Sequence, residues 1–135
     1  MKTFVSILLL IPASLLPPSG APAERIHRLL DGSYVQGRAR VSQTEVLLQT
    51  PFGDRVIPRG DYVGPQQVRL EDLKTWYRDA TGAIADRDLA GHRRIAEECR
   101  TLGYMTGLRR ELNVILKTDT DDRWARALLD RLAKD

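Results

Sequence analysis

The sequence predicts an α+β protein: a small antiparallel five-stranded β-barrel followed by a bundle of three to four helices. Three observations carry that expectation. From Tyr34 to Val41 apolar and polar residues alternate with the period of a half-buried strand, and turn residues stand on either side. From Leu70 onward the apolar residues recur instead at steps of three and four, the period of an amphipathic helix. The change of period falls at Gly64-Pro65-Gln66-Gln67, a short run rich in breakers.

The chain opens with MKTFVSILLLIPASLLPPSGAPA, residues 1–23. Lys2, an apolar run from Phe4 to Leu16 and the small residues ending Ala21-Pro22-Ala23 make the three-part layout of a secretory signal peptide. The run is short for a membrane span and is interrupted by Pro12. The expectation is therefore an exported protein, periplasmic or extracellular after cleavage and without a stable membrane span; retention as an uncleaved anchor is the alternative. No cysteine follows the small residues, so lipoprotein processing is not indicated.

Residues 24–64 are expected to form the barrel. Ile26, Leu29 and Leu30 run up to the turn dipeptide Asp31-Gly32. Val35, Gly37, Ala39 and Val41 then face one way, with Gln36, Arg38 and Arg40 facing the other. Ser42-Gln43 turns the chain into Glu45–Gln49. Pro51-Phe52-Gly53-Asp54 makes the next turn, before Arg55-Val56-Ile57. Arg59-Gly60-Asp61 leads into Tyr62-Val63. Five short strands with tight turns favour a curled antiparallel sheet or barrel, and Gly37 inside the second strand marks a bend or bulge.

Residues 65–69 read as a linker and 70–135 as the helical part. Leu70, Leu73, Trp76, Tyr77, Ala80 and Ile84 form a first stripe, weakened near its end by Gly82, which costs about 1 kcal/mol relative to alanine. Asp86 and Asp88 precede a second stripe of Leu89, His92, Ile95, Ala96, Cys99 and Leu102, and Gly103 supplies the stop. Met105, Leu108, Leu112, Ile115 and Leu116 form a third. Thr118-Asp119-Thr120-Asp121-Asp122 breaks the helix and caps a fourth, carrying Trp124, Ala125, Leu128, Leu129 and Leu132. Helices with such stripes and short links must fold back on one another. Each half is near the lower size limit for an independent core, so the two are expected to share an interface.

Two resemblances follow from these residues. Leu102-Gly103-Tyr104, then Leu108, Leu112 and Leu116, then Asp119-Thr120-Asp121 with Ala125 and Leu128 resemble one degenerate tetratricopeptide repeat, with Thr120 where the family's proline stands. One repeat cannot build the concave groove of an array. The resemblance implies architecture and, through it, protein binding. The segment from Asp31 to Asp61, with Asp31-Gly32, Tyr34-Val35, Gly37, Thr50-Pro51-Phe52-Gly53 and Ile57-Pro58-Arg59, resembles a Src-homology-3-like or Sm-like barrel. Barrel and helical tail together are similar to planctomycete-type secreted proteins. That resemblance brings no catalytic residues.

The remaining composition narrows the function. Twenty-one basic residues against 18 acidic leave a net charge of +3, and Arg93-Arg94 and Arg109-Arg110 stand near Glu97, Glu98 and Glu111. Paired charge on helix surfaces is expected rather than a nucleic-acid stripe. Cys99, the single cysteine, lies on an apolar face and reads as a small buried hydrophobe. His27 and His92 have no second ligand at metal spacing, and His92 reads as a satisfied, partly buried histidine. Asp119, Asp121 and Asp130 match positions of a calcium loop. Arg123 and Trp124 stand where that loop needs a ligand and a glycine, so an inter-helix turn is expected. Arg59-Gly60-Asp61 matches an adhesion tripeptide at a position the barrel needs for a turn. Neither a nucleophile elbow nor a phosphate loop is present.

No enzyme, cofactor or metal is expected. The function expected is that of a non-enzymatic envelope protein acting as an interaction or adaptor module, with another envelope protein as partner and no nucleic acid. The alternative is cell-wall glycan or extended-peptide binding through the barrel. Tyr34, Phe52, Tyr62, Trp76, Tyr77 and Tyr104 are the candidate interaction surface, because aromatics supply much of the energy at interfaces.

Overall fold

The computed structural model describes residues 22–134. The expected signal peptide lies outside the described residues except for Pro22 and Ala23. Five strands come first: β1 (Arg25–Leu29), β2 (Tyr34–Val41), β3 (Glu45–Thr50), β4 (Gly53–Pro58) and β5 (Tyr62–Pro65), with a single 3-10 turn at Arg59–Asp61 before the last. Four helices follow: α1 (Leu70–Gly82), α2 (Leu89–Leu102), α3 (Met105–Thr118) and α4 (Arg123–Lys134). The α+β class and the upper end of the expected helix count are both present.

The strands form one antiparallel sheet in the order β4-β3-β2-β1-β5. It is open. β4 and β5 are its two edges and do not pair with each other, so the closed barrel expected from the sequence is not formed among the described residues. The reason lies in the connection between them. The backbone that would carry β4–β5 pairing is drawn aside by the 3-10 turn: the Arg59 amide donates to the Thr44 carbonyl, and the Asp61 carbonyl accepts from the Leu30 amide. Pro58 and Pro65, which end the two edge strands, have no amide hydrogen to offer.

β2 is the strand on which the sheet turns. Its first residues pair with β1, through Gly37 opposite Arg25, and the rest pair with β3 from Arg38 opposite Gln49 onward. Gly37 sits at that change of partner. A Cβ there would lie 2.6 Å from the Gln49 carbonyl oxygen, so glycine is required for the strands to approach. The one irregularity in register falls elsewhere, between Arg28 and Leu29 where β1 meets β5.

β1 and the first half of β2 are buried on both faces. Ile26 pairs with Gln36 on one face and His27 with Val35 on the other, and all four are buried. The first of these faces meets the helices. Gln36 Oε1 accepts from the Thr106 amide at 2.8 Å, and its Nε2 donates to Thr106 Oγ1 at 2.8 Å and to Glu24 at 3.1 Å. A strand side chain thus caps the first turn of α3, whose own N-cap residue, Tyr104, supplies no side-chain bond. The shared interface expected from the size of each half is present, and sheet and helices contribute to one apolar core.

The helices end where the sequence signals. Asp88 Oδ1 accepts from the Gly91 amide at 2.9 Å, and Asp122 Oδ1 accepts from the Ala125 amide at 3.0 Å. Gly103 takes φ +78° at the α2–α3 turn, where a Cβ would meet Tyr34 Cβ at 2.5 Å. Leu108, Leu112 and Ile115 of α3 are fully buried, each stabilising the fold by about 1.5–3 kcal/mol relative to exposure. No helix of the described residues is long and apolar enough to cross a membrane.

Candidate functional site

The face of α3 that carries Leu108, Leu112 and Ile115 also carries Glu111, which is 1% exposed. A carboxylate in such a place must be hydrogen-bonded or it destabilises the fold severely. Tyr77, one turn and a half before the end of α1, donates its hydroxyl to Glu111 Oε2 at 2.8 Å. His92, on the first turn of α2, places Nδ1 2.7 Å from Glu111 Oε1 and Nε2 3.2 Å from the Ala85 carbonyl. Three helices therefore converge on one acid.

The protons of this network follow from its geometry. The Ala85 carbonyl can only accept, so His92 Nε2 carries a hydrogen. One further proton lies between Nδ1 and Oε1. Whether it is written on the imidazole or on the carboxyl group, the His92–Glu111 pair is neutral as a whole. Burial, and then the bond to Glu111, hold the Tyr77 hydroxyl far above the ordinary phenol range, so it remains a donor. Burial, reinforced by the Glu111 charge, pushes the nearby Cys99 thiol up to about 12. That thiol is not a nucleophile at neutral pH.

Above the network lies a cleft of about 650 Å³ between α1 and α3, closed at one end by the α1–α2 loop. Tyr77, His92 and Glu111 reach its floor, and Arg78, Arg110, Lys117 and Asp86 line it. Arg110 lies over the Tyr77 ring, its guanidinium carbon 5.8 Å from the centroid. On the other side of α3 a second hollow of about 400 Å³ shares Arg110 and Lys117 and adds Arg109, Thr106, Asn113 and Pro51. Arg109 donates to the Pro51 carbonyl.

Charge pairing departs from the expectation drawn from the sequence. Among the described residues the ion pairs are Lys74–Glu71, His92–Glu111, Arg93–Asp122 and Arg100–Glu97. Arg78, Arg109, Arg110 and Lys117 have no acidic partner there. Glu111, the acid nearest in sequence to Arg109-Arg110, points into the core instead. Arg93 does find an acid, but from the α3–α4 turn: the buried Asp122, while its guanidinium also covers the Trp124 ring at 5.3 Å.

The six aromatic residues picked out by the sequence do not form one surface. Tyr77 and Tyr104 are buried and meet edge to face, centroids 5.6 Å apart. Trp76 is half-buried on α1, and Phe52 is half-buried in the β3–β4 turn. Tyr34 is half-buried against Gly103. Tyr62 is half-buried and bonds His27 Nδ1 at 2.9 Å. His27 Nε2 lies 2.9 Å from the Gly37 carbonyl, so it carries the hydrogen and Nδ1 accepts from Tyr62.

His92 is the satisfied histidine the sequence suggested, but Glu111 and the free cations escaped sequence reasoning. A signal existed. Glu111 stands three residues after Leu108 and four before Ile115, an acid inside an apolar stripe, and His92 is the polar member of the facing stripe. The turn readings of Arg59-Gly60-Asp61 and of the Asp119–Asp122 segment match the 3-10 turn and the capped α4 seen here. Among the described residues no three of His, Cys, Asp and Glu stand close enough to hold a metal ion. In comparisons with known proteins, no family model matches the chain, no curated protein is detectably similar to it, and no solved structure matches it.

Proposed function

We propose that this protein is a non-enzymatic envelope module that binds another protein, with the α1–α3 face as its contact surface. The observation that carries the reading is the set of cations on α1 and α3 that have no acidic partner among the described residues and that surround a preformed cleft. The buried network beneath ties the three helices together, which gives that surface a rigid base at little entropic cost on binding. The same network supports a non-enzymatic role, because each of its polar atoms is engaged by another protein group. Export rests on the layout of residues 1–23.

The test is a cross-linked pull-down of the tagged full chain from its native envelope fraction, with the cross-linked positions mapped. A stoichiometric protein partner joined through α1 and α3 supports the adaptor reading. Wall fragments, or cross-links confined to the sheet, overturn it. A second reading has its own observation. β4 is an unpaired edge strand with Val56 60% exposed, a template on which an extended peptide adds as a further strand. Under that reading Val56→Asp on β4 lowers binding and substitutions on α3 leave it unchanged.

A further inference from the structure

The cations around the cleft specify a chemistry. Arg78, Arg110 and Lys117 line it with one acid, Asp86, and the His92–Glu111 pair beneath adds no net charge. The site is therefore electropositive in a chain whose total charge is only +3. The hollow across α3 adds Arg109 and no acid. The Arg110 guanidinium carbon lies 5.8 Å from the Tyr77 ring centroid, a cation–π contact that favours its placement at the cleft.

The spacing narrows the ligand further. Arg110 and Lys117 stand two turns apart on one face of α3, about 10 Å along the axis. A peptide in the extended polyproline II conformation covers about 9 Å in three residues, one full turn, so every third side chain returns to the same side. Two carboxylates separated by two residues in such a segment therefore face the same way, at about the spacing of the two cations. Val114, which lines the cleft, lies between the two charges on α3, so the cleft suits a narrow chain with apolar or small residues between its acids.

We infer that the α1–α3 cleft is a docking site for an extended acidic peptide segment of the protein partner, its carboxylates paired with Arg110 and Lys117. The inference rests on the adaptor reading and supplies the chemistry of its partner.

The experiment is fluorescence anisotropy with the full chain and a labelled peptide carrying glutamate at every third position. A peptide with glutamine in those places is the control. The acidic peptide binds, the glutamine peptide does not, and the affinity falls as salt is raised. Arg110→Glu/Lys117→Glu lowers the affinity by at least about tenfold, as expected for reversing charges that face a partner's charges. Arg94→Glu/Arg131→Glu makes the same change in net charge at exposed positions away from the cleft and leaves binding within about threefold. Thermal melting of both double variants checks that they fold.

Retained binding by Arg110→Glu/Lys117→Glu overturns the site, and so does equal loss in the two double variants. Tighter binding of inorganic polyphosphate or of phosphatidylglycerol vesicles than of the peptide also overturns it. The adaptor reading fails separately. If the partner from the envelope pull-down is still captured by Arg110→Glu/Lys117→Glu, the adaptor stands and the cleft does not. If the peptide binds selectively but no partner is recovered, the cleft stands and the adaptor does not.

Discussion

The two histidines of the chain are both buried, His27 at 3% exposure in the sheet and His92 at 5% between the helices, and both engage each ring nitrogen. They are opposite in kind. In the sheet, His27 donates to a backbone carbonyl and accepts from a tyrosine hydroxyl, an arrangement that only the neutral ring can make. Between the helices, His92 meets a carbonyl and a carboxylate, and the carboxylate also accepts from Tyr77. One histidine is a shaped spacer that holds β1 to β2 and β5. The other is half of a buried ion-pair equivalent that ties α1, α2 and α3 together.

The difference lies in the third group. Where the neighbour is a tyrosine, removing one partner leaves a single unsatisfied nitrogen. Where it is an acid, removal strands a histidine and a tyrosine together. Glu111→Ala is therefore expected to destabilise the protein by about 3–5 kcal/mol, the cost of breaking a buried pair from one side. Glu111→Gln keeps the shape and part of the bonding, and should cost about 1–3 kcal/mol. Urea denaturation followed by circular dichroism measures both. A loss below about 1 kcal/mol for Glu111→Ala would place the acid's partners in water and erase the contrast with His27.

The tyrosines sharpen the comparison at smaller scale. Tyr77→Phe removes a buried donor to a carboxylate and should cost about 1.5–3 kcal/mol; Tyr62→Phe removes a half-buried donor to a neutral ring and should cost about 0.5–1.5 kcal/mol. The same denaturation measurement ranks them. Equal losses would mean that Glu111 adds nothing to its bond with Tyr77.

How much of this was legible in the sequence differs between the two regions. Strand alternation and turn residues located all five strands, and Asp88, Gly103 and the Asp119–Asp122 turn marked the helix ends, because these are local effects of backbone sterics and capping. Closure of the sheet was not legible. It depends on where the backbone of Arg59 and Asp61 finds its partners, and those are Thr44 and Leu30, distant in the chain. The candidate site was hidden for a related reason. Arg109-Arg110 looked paired because Glu111 is adjacent in sequence, yet on a helix the next residue points about 100° away, here into the core. The aromatic residues misled in the same way: Tyr77 and Tyr104 have the composition of an interface and the burial of a seam. Gln36 could not have been found at all, since its role as the cap of α3 exists only once sheet and helices meet.

The smallest effect tests the neutral histidine directly. Burial in the sheet lowers the His27 pKa from its ordinary value near 6.5, with the Arg25 charge acting in the same direction and the Gly37 carbonyl opposing. The unfolded chain therefore takes up a proton on His27 more readily than the folded one. The stabilising contribution is complete above about pH 6.5 and is lost as the pH falls through the unfolded value toward the lower folded one. Asp31 does not blur this window, because the Ser33 donors hold its carboxyl below the usual carboxylate range and its contribution falls away only at lower pH. Denaturation midpoints of the wild type should decline between pH 7.5 and pH 5, and His27→Gln, which keeps one donor and one acceptor, should flatten that decline. Its remaining slope then belongs to other groups. Coincident slopes would show that His27 accepts its proton without cost, and the sheet histidine would no longer be the fixed neutral counterpart of the one between the helices.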